Sequence, residues 1–223
     1  SFVWPVIFLF VSIGIGLSIA GTSILSQLVG AAKFKEANRY ATELVAISFI
    51  SGILFAFAGY FLSPSIVRIM GASGELLEYS TIYLRISFLD IPFMFMFFNY
   101  NSIMSSQGNT MQPTVLSGIS ALLNIILDPV LIFTLNLGIA GAAYATLISK
   151  MILCFLAMFM LFVKPRLVKI NFRKFKFDSK IMLNLIKVGI PTSIGQSGAA
   201  LGFMMLNIFI ASYGTSTLAA FGM

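Results

Sequence analysis

Apolar runs of about 20 residues recur along this chain, separated by short polar breaks, and a water-soluble fold could not bury them all. A helix rises 1.5 Å per residue, so each run matches a hydrocarbon core ~30 Å thick. Six spans are expected: Trp4–Gln27, Ala37–Leu62, Leu76–Tyr100, Pro113–Leu135, Ala140–Phe162 and Ile181–Tyr213. Over 223 residues, 59% are hydrophobic and only 9% charged, with mean hydropathy +1.00, which leaves no charged skin for a soluble globule. Transmembrane β-strands would need alternating polar residues, which these runs lack. The expected class is all-α, a polytopic membrane helix bundle.

Orientation follows from the basic residues, which are retained on the cytoplasmic side of short loops. Lys33, Lys35 and Arg39 mark the first loop, and Lys164, Arg166, Lys169, Arg173, Lys174, Lys176 and Lys180 mark the fifth. The second loop has only Arg68 and the fourth has none, so odd loops are expected to be cytoplasmic. This asymmetry accounts for the net charge of +7 without a nucleic acid partner. The phenylalanines of FRKFKF in the fifth loop suit an interfacial linker whose cations snorkel to water. Both ends then fall outside the cell, in a multi-pass protein of the inner (plasma) membrane. A start at Ser1 and an end at GTSTLAAFGM suggest an internal fragment of a longer chain.

Catalytic chemistry finds little footing. There is no histidine, and the single Cys154 lies inside the fifth span as a small core residue. GASG at 71–74 and GQSG at 195–198 fit an intramembrane serine-protease pattern, but no histidine is present to activate the serine. Small residues such as Gly198 and Gly202 are expected to allow close helix packing. The protein is read as a non-enzyme without cofactor.

The costly residue is Asp128, inside SALLNIILDPVLIFTL. A carboxylate in hydrocarbon costs about 2.5 kcal/mol or more, so it should face a cavity or a partner. Ser117, Asn124 and Asp128, at spacings of seven and four, share one face of the fourth helix, with Ala121 between them. Pro129 removes the N–H that would bond the carbonyl of Ile125 and should loosen the helix there, acting as a hinge. The assumed topology puts Asp128, Thr146 and Tyr83, from three helices, at one depth in the outer half. Carboxylate, amide, hydroxyl and phenol oxygens suit Na⁺ or a held proton.

At this level of detail the chain resembles the multidrug and toxic compound extrusion (MATE) family. GTSILSQLVGAAKFKEANRYA is similar to the family's second helix and turn, YLRISFLDIPF to its fourth helix, and LNIILDPVLIFTLNLGIAGAAYATLIS to its fifth and sixth. LNIILDP followed by GIAGAAYAT resembles the branch of DNA-damage-inducible exporters. The resemblance implies helices two to seven of a twelve-helix, two-lobe transporter. Residues 1–163 would form most of the N-terminal lobe, 164–180 a basic cytoplasmic linker and 181–223 the first helix of the second lobe. It further implies a cation-coupling site at Asp128, Asn124, Thr146 and Tyr83, with Na⁺ possible at the first three and an aspartate from an absent first helix opposite them.

Three positions depart from the family pattern: Asp90 stands in place of a common glycine, SSQGNT lacks the usual arginine, and Lys150 lies one turn beyond Thr146. Lys150 has three possible fates: pairing with Asp128, pairing with Asp90, or facing the cavity to select anionic substrates. Arg85 is a further candidate partner for either carboxylate. Asp128 itself is either a cation ligand or half of a structural ion pair. The functional expectation is Na⁺- or H⁺-coupled antiport of amphipathic organic cations by alternating access, through a Met- and Phe-lined cavity between the lobes. Its partners would be membrane lipids, those cations and the remainder of the same transporter. The alternatives are a lipid-linked oligosaccharide flippase, supported by Lys150 and Arg85, and a non-transporting scaffold or receptor.

Overall fold

The computed structural model describes residues 2–163, 167–172 and 175–211. Six long α-helices are present among them: α1 Trp4–Gly30, α2 Phe34–Ile69, α3 Gly74–Ser106, α4 Met111–Pro129, α5 Gly138–Val163 and α6 Ser179–Ala211. Each expected span lies within one of these helices, apart from the fourth, which α4 shares with a following π-helical turn, and the end of the sixth. Among the described residues, five helical segments are long and apolar enough to cross a bilayer, the fourth comprising α4 and that turn, Met111–Thr134. In α6 the apolar run is interrupted by Lys187, Thr192, Ser193, Gln196 and Ser197. Tyr213, Lys164, Arg166, Arg173 and Lys174 lie outside the described residues.

The helices end where the sequence supplies turn chemistry. GASG, which fits a protease pattern by residue type, is the α2–α3 turn: Gly71 and Gly74 take φ of 90° and 56°, values that a side chain disfavours. Ser197 of GQSG is likewise structural, its hydroxyl 2.6 Å from that of Ser12 across the α1–α6 contact.

α3 is the central element, packed against α1, α2, α4 and α5. Its two ends sit in separate apolar cores. Val3, Val67, Met70, Leu84 and Phe88 form the core beside the weakly charged α2–α3 turn, and Leu25, Ala41, Leu44, Tyr100 and Leu161 form the one beside the basic turns. Cys154 is buried, as expected of a core residue.

Small residues do permit close helix approach, though not at Gly198 and Gly202. A Cβ at either position would meet nothing within 4 Å among the described residues. The tight crossing lies earlier in α6, where a Cβ on Gly16 of α1 would lie 2.6 Å from the carbonyl oxygen of Gly189 and collide with the Ser193 hydroxyl. In a membrane, where apolar burial does not distinguish helix from lipid, backbone proximity of this kind is a main source of association.

The segment before α6 is bonded to the bundle along its described length. Leu167 and Val168 donate their N–H groups to Gln107 Oε1 at 2.9 and 3.4 Å, and Lys169 donates to Asn38 Oδ1 at 2.6 Å. Asn171 donates to Thr42 Oγ1 at 3.1 Å, and Asp178 to Glu43 Oε1 at 3.0 Å. Arg39 closes the strap with an ion pair to Asp178 at 3.1 Å. Val168 is 1% exposed within the core, whereas Phe172, Phe175 and Phe177 are exposed, as an interfacial linker requires. The acceptors Asn38, Thr42 and Glu43 share one face of the first turns of α2, with Arg39 beside them, so this strap ties the start of α6 to α2.

Two outcomes test this packing. Gly16→Val should destabilise the bundle by about 1–3 kcal/mol, the usual range for overpacking, read as a lower melting temperature in detergent. Asn38→Ala combined with Thr42→Val should remove two strap bonds at about 1 kcal/mol each and accelerate tryptic cleavage within residues 164–180, with global unfolding shifted far less.

Candidate functional site

α4 and α5 run antiparallel, and three contacts define their register. Ser120 Oγ donates to the carbonyl of Ser149 at 3.2 Å, and Asn124 Nδ2 donates to Thr146 Oγ1 at 3.5 Å. Further along, a Cβ on Gly141 would lie 2.7 Å from the carbonyl oxygen of Leu131, so only glycine admits the approach seen there. Thr146 donates its own proton to the carbonyl of Ala142 at 3.1 Å, which leaves its oxygen lone pairs toward Asn124. Asp128, one turn beyond Asn124 on the same face, falls level with Ala142, one turn from Thr146.

The expected disturbance at Pro129 is present. The α-helical ladder ends at Pro129, and Val130–Thr134 continue as a π-helical turn, with Leu135 N–H bonded to the Val130 carbonyl at 3.0 Å. A proline cannot donate to the carbonyl four residues back, and π-helix, rare in general, occurs mostly as such single turns within helices. Asp128 therefore stands at the last α-helical step before the ladder changes.

A cavity of about 280 Å³ lies between α3, α4 and α5. Phe93, Met94, Phe97 and Phe98 supply its apolar wall, and Ser117, Asn124, Thr146 and Lys150 are among its polar lining residues. The polar stripe expected on α4 faces this cavity through Ser117, Ala121 and Asn124. Asp128 and Tyr83 are not among its lining residues. Tyr83 is partly buried against the core beside the α2–α3 turn, within electrostatic reach of Asp128 and Asp90.

Lys150 pairs with Asp90 and not with Asp128, and it also lines the cavity. Lys150 Nζ lies 2.5 Å from Asp90 Oδ2, and its next contact is the thioether of Met94 at 3.6 Å. Asp90 is almost fully buried, its side chain 5% exposed, while that of Lys150 is 30% exposed. The carboxylate is thus hidden in α3 and the ammonium stands toward the cavity. Breaking a buried pair by removing one partner typically costs about 3–5 kcal/mol, because the surviving charge is left uncompensated.

Arg85 departs from expectation by taking neither carboxylate. Its Nε donates to the carbonyl of Tyr60 at 3.3 Å, and its guanidinium lies 5.3 Å from the centre of the Tyr60 ring. A planar cation stacked on an aromatic face is satisfied without an anion. Spacing on α3 could not disclose this, because the partner is on α2.

Asp128 has no ion-pair or hydrogen-bond partner among the described residues, although it is half-buried in an apolar helix. No group of three or more His, Cys, Asp or Glu side chains forms a metal cluster among those residues. One carboxylate with neutral oxygens nearby is a donor set for a monovalent ion or a proton, not for a tightly held divalent metal.

Residues 1–130 match the MatE family model. The chain is 30% identical to "Probable multidrug resistance protein YoeA" of Bacillus subtilis, an alignment that covers 98% of this chain and 49% of that protein. It is 27% identical to "Multidrug export protein MepA" of Staphylococcus saprophyticus, covering 100% of this chain and 49% of MepA. Among solved structures, an inward-facing multidrug resistance MATE family transporter of the MOP superfamily superposes with a TM-score of 0.92 at 28% identity, covering 98% of this chain and 50% of that one. The chain therefore spans about half the length of the relatives it matches. The matches do not distinguish the DNA-damage-inducible branch. The apolar helices, the stripe on α4 and these similarities agree on one assignment: this membrane protein belongs to the MATE family.

Proposed function

We propose that this chain supplies most of the N-terminal lobe and the first helix of the second lobe of a plasma-membrane exporter driven by Na⁺ or H⁺. Residues 1–163 are the lobe, 164–180 the inter-lobe linker and 181–223 the start of its counterpart. The observation that carries the reading is Asp128, a half-buried carboxylate in an apolar helix without a counter-cation among the described residues, Lys150 being paired with Asp90. A structural ion pair at Asp128 would need a cation that no described residue supplies. A cation from solution meets that electrostatic need, with Asn124 and Thr146 offering neutral oxygens one turn away and Tyr83 a phenol across the bundle.

Transport follows from state-dependent affinity. A cation shifts the balance between two conformations only as far as it binds one more tightly than the other. Asp128 lies directly before the α-to-π change at Pro129, so neutralising it and altering the course of the helix beyond Pro129 are coupled by chain continuity. Relaxation of that segment on binding, carried to the Phe- and Met-lined cavity through Asn124, would couple cation entry to drug release in alternating-access antiport. Lipid surrounds the helices, and amphipathic drugs are the cargo. The oligosaccharide flippase reading loses support, since Arg85 lies over the Tyr60 ring and is not among the residues lining the cavity beside Lys150.

The full-length transporter carrying Asp128→Asn, reconstituted in vesicles, should lose at least tenfold of gradient-driven drug efflux under whichever ion gradient drives the wild type. Unchanged efflux under both Na⁺ and proton gradients would contradict the assignment. Thr146→Val should weaken ion dependence by a smaller factor, about 3–10-fold, seen as a higher ion concentration for half-maximal efflux.

A further inference from the structure

Ligand specificity in this cavity follows from which half of the buried ion pair it meets. Asp90 is sealed inside α3, so an incoming molecule meets the ammonium of Lys150. An ammonium has three N–H donors. One goes to Asp90 and a second to the weakly accepting thioether of Met94, and no described residue takes the third. Around it are the rings of Phe93, Phe97 and Phe98 and the hydroxyl or amide groups of Ser117, Asn124 and Thr146. These neighbours supply aromatic faces and neutral hydrogen-bonding groups. Among the described residues no carboxylate lines the cavity.

We propose that this cavity binds aromatic molecules bearing an anionic group, and that Lys150 is the specificity-determining residue that receives the anion. The inference names the cargo class for the exporter proposed above and rests on that reading for its physiological meaning. It differs from the sequence-based expectation of organic cations, which concerned a cavity between the lobes. The aromatic body lies among the three phenylalanines, and the anion accepts from Lys150 Nζ, which retains its bond to Asp90. The carboxylate thereby acts from behind as a positioning residue, keeping Nζ at the wall. A permanently cationic head finds no exposed anion and is repelled by the same ammonium. A zwitterion is admitted with its anionic end first. At about 280 Å³ the space suits a compact ring system.

Equilibrium binding to the full-length transporter in detergent, without any ion gradient, tests this with two isosteric probes, 2-naphthoate and 2-naphthyltrimethylammonium. Wild type should bind the naphthoate at least tenfold more tightly. Because Lys150→Met alone strands Asp90 and can unfold the lobe, the informative variant is Lys150→Met with Asp90→Asn, which removes both charges together. Its preference for naphthoate should collapse to within about twofold, while Lys150→Arg should retain most of it. Wild-type preference for the trimethylammonium probe, or a preference unchanged in the folded double variant, would overturn the proposal. Both readouts are independent of Asp128 and of coupling. Failure of the exporter reading would appear in the efflux assays and leave this binding result standing.

Discussion

The arrangement of charge in this bundle depends on the ion pair between Lys150 and Asp90. Two carboxylates and one ammonium lie within the central three-helix region, and an ammonium can fully compensate only one carboxylate. By pairing with the deeply buried Asp90, Lys150 removes the most severe desolvation problem in α3, while Asp128 has no cationic partner among the described residues. The same choice puts a positive group on the cavity wall.

Backbone approach sets the geometry within which that pairing acts. Gly141 lets α5 meet the π-helical turn after Pro129, and the Ser120 and Asn124 contacts extend the same register inward. On the other side of the bundle, Gly16 and Gly189 bring α1 and α6 together, while the strap from Leu167 to Asp178 ties the entry of α6 to α2. The linker between the proposed lobes is therefore mechanically attached to the first lobe. A conformational change in α2 would be felt at the start of α6 through hydrogen bonds as well as through helix contact.

Much of this was legible in the sequence because a bilayer imposes strong rules. Run length disclosed the helices to within a few residues at most ends, and the seven-and-four spacing on α4 disclosed its polar stripe. Pro129 announced a change in the ladder, since the missing N–H has no substitute. What escaped was partner choice across helices. Arg85 could be assigned to a carboxylate by proximity in depth, but depth does not specify azimuth, and the ring of Tyr60 on α2 competes successfully. Gly198 and Gly202 fit the small-residue pattern without forming the crossing, which occurs at Gly189 instead. The strap was hidden because its donors are backbone N–H groups, to which composition and charge are blind.

The central claim is that Lys150 belongs to Asp90 and leaves Asp128 free. Double-mutant cycles on the stability of the full-length transporter measure that division directly, using Lys150→Met with Asp90→Asn and, separately, with Asp128→Asn. The account predicts a coupling of more than about 1 kcal/mol between Lys150 and Asp90, and one within about 0.5 kcal/mol of zero between Lys150 and Asp128. A strong coupling of Lys150 to Asp128, with none to Asp90, would contradict it.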